Sequence, residues 1–174
     1  MNTFPSKFKF SQKQADEFLS LLRKERHSDK AEPEWTMVRT RLTDRIETYL
    51  GPNEGFQVFI GSHLYYPVHV DIHHEGRMVA GRFNVLLTGE PGSMQWYQTD
   101  EDYTQDRWRQ NIQSIDYSKL EPIDRQQCNY PAFVRTDILH DVHFDSCHKG
   151  KSRVMLSYPF YNHSWEQIVE RFKL

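Results

Sequence analysis

The sequence predicts a mainly β domain flanked by helices at both ends, with roughly seven or eight strands rolled into a jelly roll or related β-sandwich. Three observations lead there. Apolar residues recur at helical spacing only towards the two ends of the chain. Between them the pattern switches to short β-type runs broken by glycine-rich and polar turns, and short strands joined by turns pair antiparallel. At 174 residues the chain is long enough to bury one core without disulfides or a partner.

Taken in order, Ser11 to Gln14 forms a capping box, and Ala15, Phe18, Leu19 and Leu22 follow on one helical face, predicting a helix over residues 11–26. After a polar break, Pro33 sits where a helix can start, and Trp35, Val38, Leu42, Ile46 and Tyr49 recur every three or four residues up to Gly51. Runs of strand character then occupy residues 56–60, 64–72, 79–87 and 94–97. Residues 99–127 lack a sustained period and read as an insertion, either a lid over a site or a plain surface excursion. Strands resume at 132–135, 141–144 and 153–160, and a second capping box, Ser164 to Gln167, opens a helix with Trp165, Ile168, Val169 and Phe172 on one face. The expectation is one domain: a helical part (1–52), a β core (53–161) carrying the insertion, and a C-terminal helix (162–174).

Composition narrows the function. With 22 basic and 24 acidic residues the net charge is −2, so no global positive field draws in a phosphate backbone, and nucleic acid is not favoured as a partner. Cys128 and Cys147 are the only cysteines and lack the spacing of a zinc or redox pair. Residues 1–7 lack the apolar stretch of a signal peptide, and nowhere do 18 apolar residues run together. These features predict a cytoplasmic protein with no membrane partner.

The chemistry concentrates in Tyr65-Tyr66-Pro67-Val68-His69-Val70-Asp71-Ile72. Alternate side chains of a strand share a face, so His69 and Asp71 reach into one space, as two ligands of one metal do. Three other His-x-Asp/Glu triplets occur, at His27, His73 and His143. The first lies in a polar linker and the second in a turn, whereas His143-x-Asp145 competes with His140 for the role of a distal ligand. Spacing to Arg153 favours His140, 13 positions before it. Two histidines and one carboxylate leave positions open on a metal for a chelating co-substrate and for dioxygen, the donor set of non-haem Fe(II) oxygenases. Arg153 opens the last long strand, and an inward arginine there needs a counter-charge that a bound dicarboxylate would supply.

On these residues the chain resembles the iron(II)/2-oxoglutarate-dependent dioxygenases. The likeness rests on His69-x-Asp71, on His140 in TDILHDV, on Arg153 in SRVMLSYPF, and on GRFNVLL and MQWY between them, across about residues 56–160. It implies a double-stranded β-helix in which His69, Asp71 and His140 hold Fe(II) and Arg153 binds the distal carboxylate of 2-oxoglutarate. It further implies a hydroxylase of a side chain or small molecule, coupling decarboxylation of 2-oxoglutarate to succinate with oxidation of a substrate C–H bond. A protein side chain, an amino acid or other small molecule, and a nucleobase all remain open as substrate. Small members akin to the aspartyl/asparaginyl- and prolyl-hydroxylase-like groups carry an asparagine in the strand after the first ligands. Asn84 matches it, and Arg82 shares its face. Trp96 or Tyr97 would line the pocket.

One departure concerns the carboxylate anchor. Many members have a hydroxyl residue two positions after the arginine; here Met155 stands there, and Ser157 follows four positions after Arg153. A tyrosine such as Tyr97 would substitute. The competing class is a non-catalytic, metal-binding cupin-like roll used for binding or assembly, in which an inward Arg153 has no evident role.

Overall fold

The structure, a computed structural model, describes residues 1–26, 41–51, 56–61, 65–71, 78–103, 115–128, 130–144 and 153–174. Among the described residues, nine strands and three α-helices follow one another as β1 (Thr3–Pro5), α1 (Gln12–Arg26), α2 (Arg41–Leu50), β2 (Gln57–Gly61), β3 (Tyr65–His69), β4 (Gly81–Thr88), β5 (Ser93–Gln98), β6 (Glu121–Gln127), β7 (Ala132–Arg135), β8 (His140–His143), β9 (Arg153–Phe160) and α3 (Trp165–Phe172). The strands form two antiparallel sheets, a five-stranded one ordered β1-β7-β4-β9-β2 and a four-stranded one ordered β3-β8-β5-β6. Mainly β with flanking helices is therefore correct.

Alternation along β4 and β9 divides the larger sheet into two faces. Phe83, Val85 and Leu87 of β4 and Val154, Leu156, Tyr158 and Phe160 of β9 join the large apolar cluster with Phe18, Ile46, Leu50, Trp165 and Ile168 of the helices. Arg82, Asn84, Met155 and Ser157 alternate with these residues and are buried as well. One face of this sheet thus meets the helices, and the other carries the polar chemistry.

The helical ends behave as their sequences predict. Ser11 and Gln14 cap α1 reciprocally, and Ser164 accepts from the Gln167 amide while the Gln167 side chain accepts from the Ser164 amide. Such a box satisfies donors that a helix start otherwise leaves open. The Arg171 guanidinium donates to the Leu50 carbonyl and ties α3 to the end of α2. A Cβ on Gly81 would lie 2.9 Å from the Trp165 ring, so only glycine lets β4 pass beneath α3. The predicted start of the second helix at Pro33 lies outside the described residues.

Two strands were not expected. β1 and β6 each lie at one edge of their sheet; β1 has only three residues, and β6 (EPIDRQQ) has no residue buried. An edge strand with little to bury carries no apolar alternation to read. β6 falls inside the predicted insertion, which is thereby shortened. Of what the structure describes of the rest, Ile115 and Leu120 lie against Val68, Val70 and Leu139, and residues 100–103 and 116–119 are exposed. Residues 104–114 are outside the description. Among the described residues, no helix is long and apolar enough to cross a membrane.

Candidate metal centre

β3 runs into the site through His69, and the chain continues extended through Val70 to Asp71. Val68 and Val70 turn to one side, into an apolar cluster with Leu139. His69 and Asp71 turn to the other. The backbone of Asp71 is held at both ends, its N–H donating to the Thr136 carbonyl at 2.9 Å and its carbonyl accepting from the Val79 N–H at 2.9 Å. The Thr136 hydroxyl donates to the Val79 carbonyl at 2.8 Å and locks the same corner.

His140 opens β8 and is the register partner of His69 across the β3–β8 pair. The two rings lie 4.4 Å apart between centroids, and His69 Nε2 is 3.5 Å from Asp71 Oδ1. One ligand atom from each of His69, Asp71 and His140 lies within 4.8 Å of the other two, and all three residues are buried. Near the His140 ring, the Ile138 carbonyl lies 2.9 Å from Nδ1. A carbonyl only accepts, so Nδ1 carries the proton and Nε2 keeps its lone pair for a metal. The three residues can hold a metal ion.

Electrostatics prepares the same donors. Burial alone would raise the Asp71 carboxyl, but the Arg82 guanidinium and the histidines around it hold it well below the usual carboxylate range. Burial, together with the neighbouring His69, pushes His140 down to about 4, so it is neutral at pH 7. An ionised carboxylate beside a neutral imidazole is the state a metal requires.

A cavity of about 90 Å³ runs beside the triad, lined also by Phe59, Arg82, Asn84, Met94, Tyr130, Thr136, Val142, Arg153 and Met155. At roughly 10–15 Å³ per water this admits a small organic acid rather than a lone solvent molecule. Arg153 faces it from the start of β9, half-buried. Its Nε donates to the Glu90 carbonyl at 3.0 Å, and its Nη2 lies 3.4 Å from the Pro91 carbonyl, 3.1 Å from the Tyr130 hydroxyl and 3.3 Å from Met155 Sδ. Rings of Phe144 and Tyr130 flank the guanidinium at 5.1 and 5.6 Å. Among the described residues, none of its hydrogen-bond partners is a carboxylate.

The remaining candidates divide. Arg82 donates through Nε to Asp71 Oδ2, and its Nη1 lies 2.7 Å from Gln57 Oε1 and 3.3 Å from Ser157 Oγ. Ser157 donates in turn to Asn84 Oδ1 at 2.6 Å. Arg82, Asn84 and Ser157 therefore form one buried polar chain leading to the Asp71 carboxylate. Tyr97 is placed elsewhere: its hydroxyl donates to Asp141 Oδ2 at 2.7 Å, and its ring packs with Val68, Val70 and Leu139. Trp96 points the other way and donates through Nε1 to the Arg135 carbonyl at 3.0 Å. His143 pairs with Asp141 at 2.9 Å, so β8 turns His140 and not His143 to the cavity. The triplets at His27 and His73 lie outside the described residues, as does Asp145.

Sequence reasoning missed Tyr130, the tyrosine that meets Arg153. It precedes β7, 23 positions before Arg153, and only the fold brings it to that arginine. Burial pushes its hydroxyl strongly upwards, so it keeps its proton and can donate to an anion beside Arg153. Comparison with family models, with curated proteins and with solved structures gives no match.

Proposed function

We propose that this chain is a non-haem Fe(II)/2-oxoglutarate-dependent dioxygenase, acting as a hydroxylase of a side chain or small molecule. The observation that carries the reading is the convergence of His69, Asp71 and His140 on one cavity whose lining also includes Arg153, a cation hydrogen-bonded to no carboxylate among the described residues. The strand orders β2-β9-β4-β7 and β3-β8-β5-β6 support it, because two four-stranded antiparallel sheets that share the chain in this alternation are what a double-stranded β-helix would require.

His69, Asp71 and His140 would hold Fe(II), which supplies dioxygen activation when bound with its co-substrate. Arg153 offers a fixed fork to the distal carboxylate of 2-oxoglutarate, and Tyr130 adds a hydroxyl where Met155 cannot. The Asn84 side chain lines the cavity between these ends. Phe59, Met94, Val142 and Met155 make the rest of the wall largely apolar, which excludes loose water and strengthens both charged contacts.

The test is an anaerobic titration of metal-free protein with Fe(II) and then 2-oxoglutarate, followed by the weak visible charge-transfer band of the chelate. The band should appear in the wild type and vanish in Arg153→Ala. Iron binding without the band leaves a metal site and removes 2-oxoglutarate from the reading. Absence of iron binding makes the chain a structural roll.

A further inference from the structure

Arg82 is the least explained charge in this cavity. It stands on β4, next to neither end of the His-x-Asp motif, yet it is nearly fully buried and its Nε donates to Asp71 Oδ2. Its other contacts leave it little freedom. Gln57 Oε1 and Ser157 Oγ accept from Nη1 at 2.7 and 3.3 Å, and the Phe59 ring lies 5.5 Å from the guanidinium carbon. The two carboxylate oxygens of Asp71 are thus told apart. Oδ2 is taken by Arg82, while Oδ1 lies 3.5 Å from His69 Nε2 on the side of the histidine pair.

We propose that Arg82 is a positioning residue that confines Asp71 to one metal-facing oxygen. The inference rests on the metal centre proposed above and adds what Arg82 does for it. An octahedral metal held by one atom each from His69, Asp71 and His140 keeps three positions free. A chelating 2-oxo acid fills two of them, so the third survives only while Asp71 gives a single oxygen. If Oδ2 were released, the carboxylate could close on the metal through both oxygens and take that position. Arg82 would thereby set, through Asp71, how many small molecules the centre holds at once.

Mn(II) is the probe, because water-proton relaxivity counts the waters bound directly to it. In the wild type without co-substrate, three bound waters are expected, and a crystal of the Mn(II)-loaded protein should show Asp71 ligating through Oδ1 alone. Arg82→Gln should lower the relaxivity by about one third, as two-oxygen ligation displaces one water of three. Arg82→Lys, which retains a charged donor for Oδ2, should restore most of it. A role confined to folding would move the melting temperature and not the water count. Should Arg82→Gln fail to fold, the wild-type crystal still decides: an Asp71 ligating through both oxygens overturns the inference while leaving the metal centre in place. A wild type that binds no Mn(II) and no Fe(II) overturns both.

Discussion

His69 and His140 face each other as register partners across β3 and β8, with ring centroids 4.4 Å apart. Two donors are therefore set by the hydrogen-bonded ladder itself, and the pairing shifts register between Tyr66 and His69, just before the first of them. A ligand pair carried on neighbouring strands is positioned more tightly than one carried on loops. Asp71 lies beyond the end of β3 and needs the backbone clamps from Thr136 and Val79 to match that precision.

The ion pair between Asp71 and Arg82 predicts an asymmetry in mutants. Asp71→Ala leaves a buried guanidinium without its counter-charge, and breaking a buried pair from one side costs about 3–5 kcal/mol. Asp71→Asn keeps the shape and an acceptor for Arg82, so it should lose less stability while still losing metal affinity. Urea denaturation of both metal-free variants measures the first effect, and Co(II) titration the second.

Acid should destabilise the metal-free protein in two stages. His140 has an ordinary value of 6.5 when unfolded and is pushed down to about 4 when folded. Between those values the unfolded chain binds the extra proton, so stability falls as pH drops through that window, by about 3 kcal/mol in all. Asp71 acts in the same direction lower down: its folded value is depressed, so its contribution is present above 3.8 and is lost as pH falls further. Denaturant midpoints at pH 7, 5 and 4 should decline in order. His140→Gln should flatten the slope between pH 6.5 and 4; an unchanged slope would reassign it to another group.

The β4–α3 contact yields a prediction independent of function. Gly81→Ala would place a Cβ 2.9 Å from the Trp165 ring and 3.1 Å from the Val134 carbonyl, neither of which is a flexible side-chain end. Overpacking of this kind costs about 1–3 kcal/mol. A thermal melt should show the loss. Trp165→Leu in the same background should recover part of it by opening room above β4.

The legible parts of this chain are those where one face of an element is apolar and the other is not. The capping boxes at Ser11 and Ser164, the helical faces behind Phe18 and Ile168, and the alternation that sends Val68 and Val70 away from His69 and Asp71 all follow from local pattern. β6 was hidden because it buries none of its residues, and β1 because three residues are too few to show an alternation. Tyr97 and Tyr130 show the other limit. Both are tyrosines near strand ends, and only the pairing of strands decides that Tyr97 meets Asp141 while Tyr130 meets Arg153. Arg82 was legible as inward-facing but not as the partner of Asp71, since that contact joins β4 of one sheet to the segment that follows β3 of the other.

The exchange of tyrosines gives the sharpest functional comparison. The Tyr130 hydroxyl is 3.1 Å from Arg153 Nη2 and is held protonated by burial, so it can donate to a carboxylate seated on that arginine. A hydrogen bond to a charged group contributes about 1.5–3 kcal/mol, so Tyr130→Phe should weaken 2-oxoglutarate binding by roughly ten- to a hundredfold while leaving Fe(II) affinity near the wild-type value. Tyr97→Phe should do the opposite. It removes a hydrogen bond to buried Asp141, lowering stability by about 1–3 kcal/mol, and leaves the co-substrate constant unchanged. Isothermal titration of Fe(II)-loaded protein with 2-oxoglutarate under argon, beside denaturant melts of the same two variants, separates them. If both variants lost co-substrate affinity alike, the anchor would not lie between Arg153 and Tyr130.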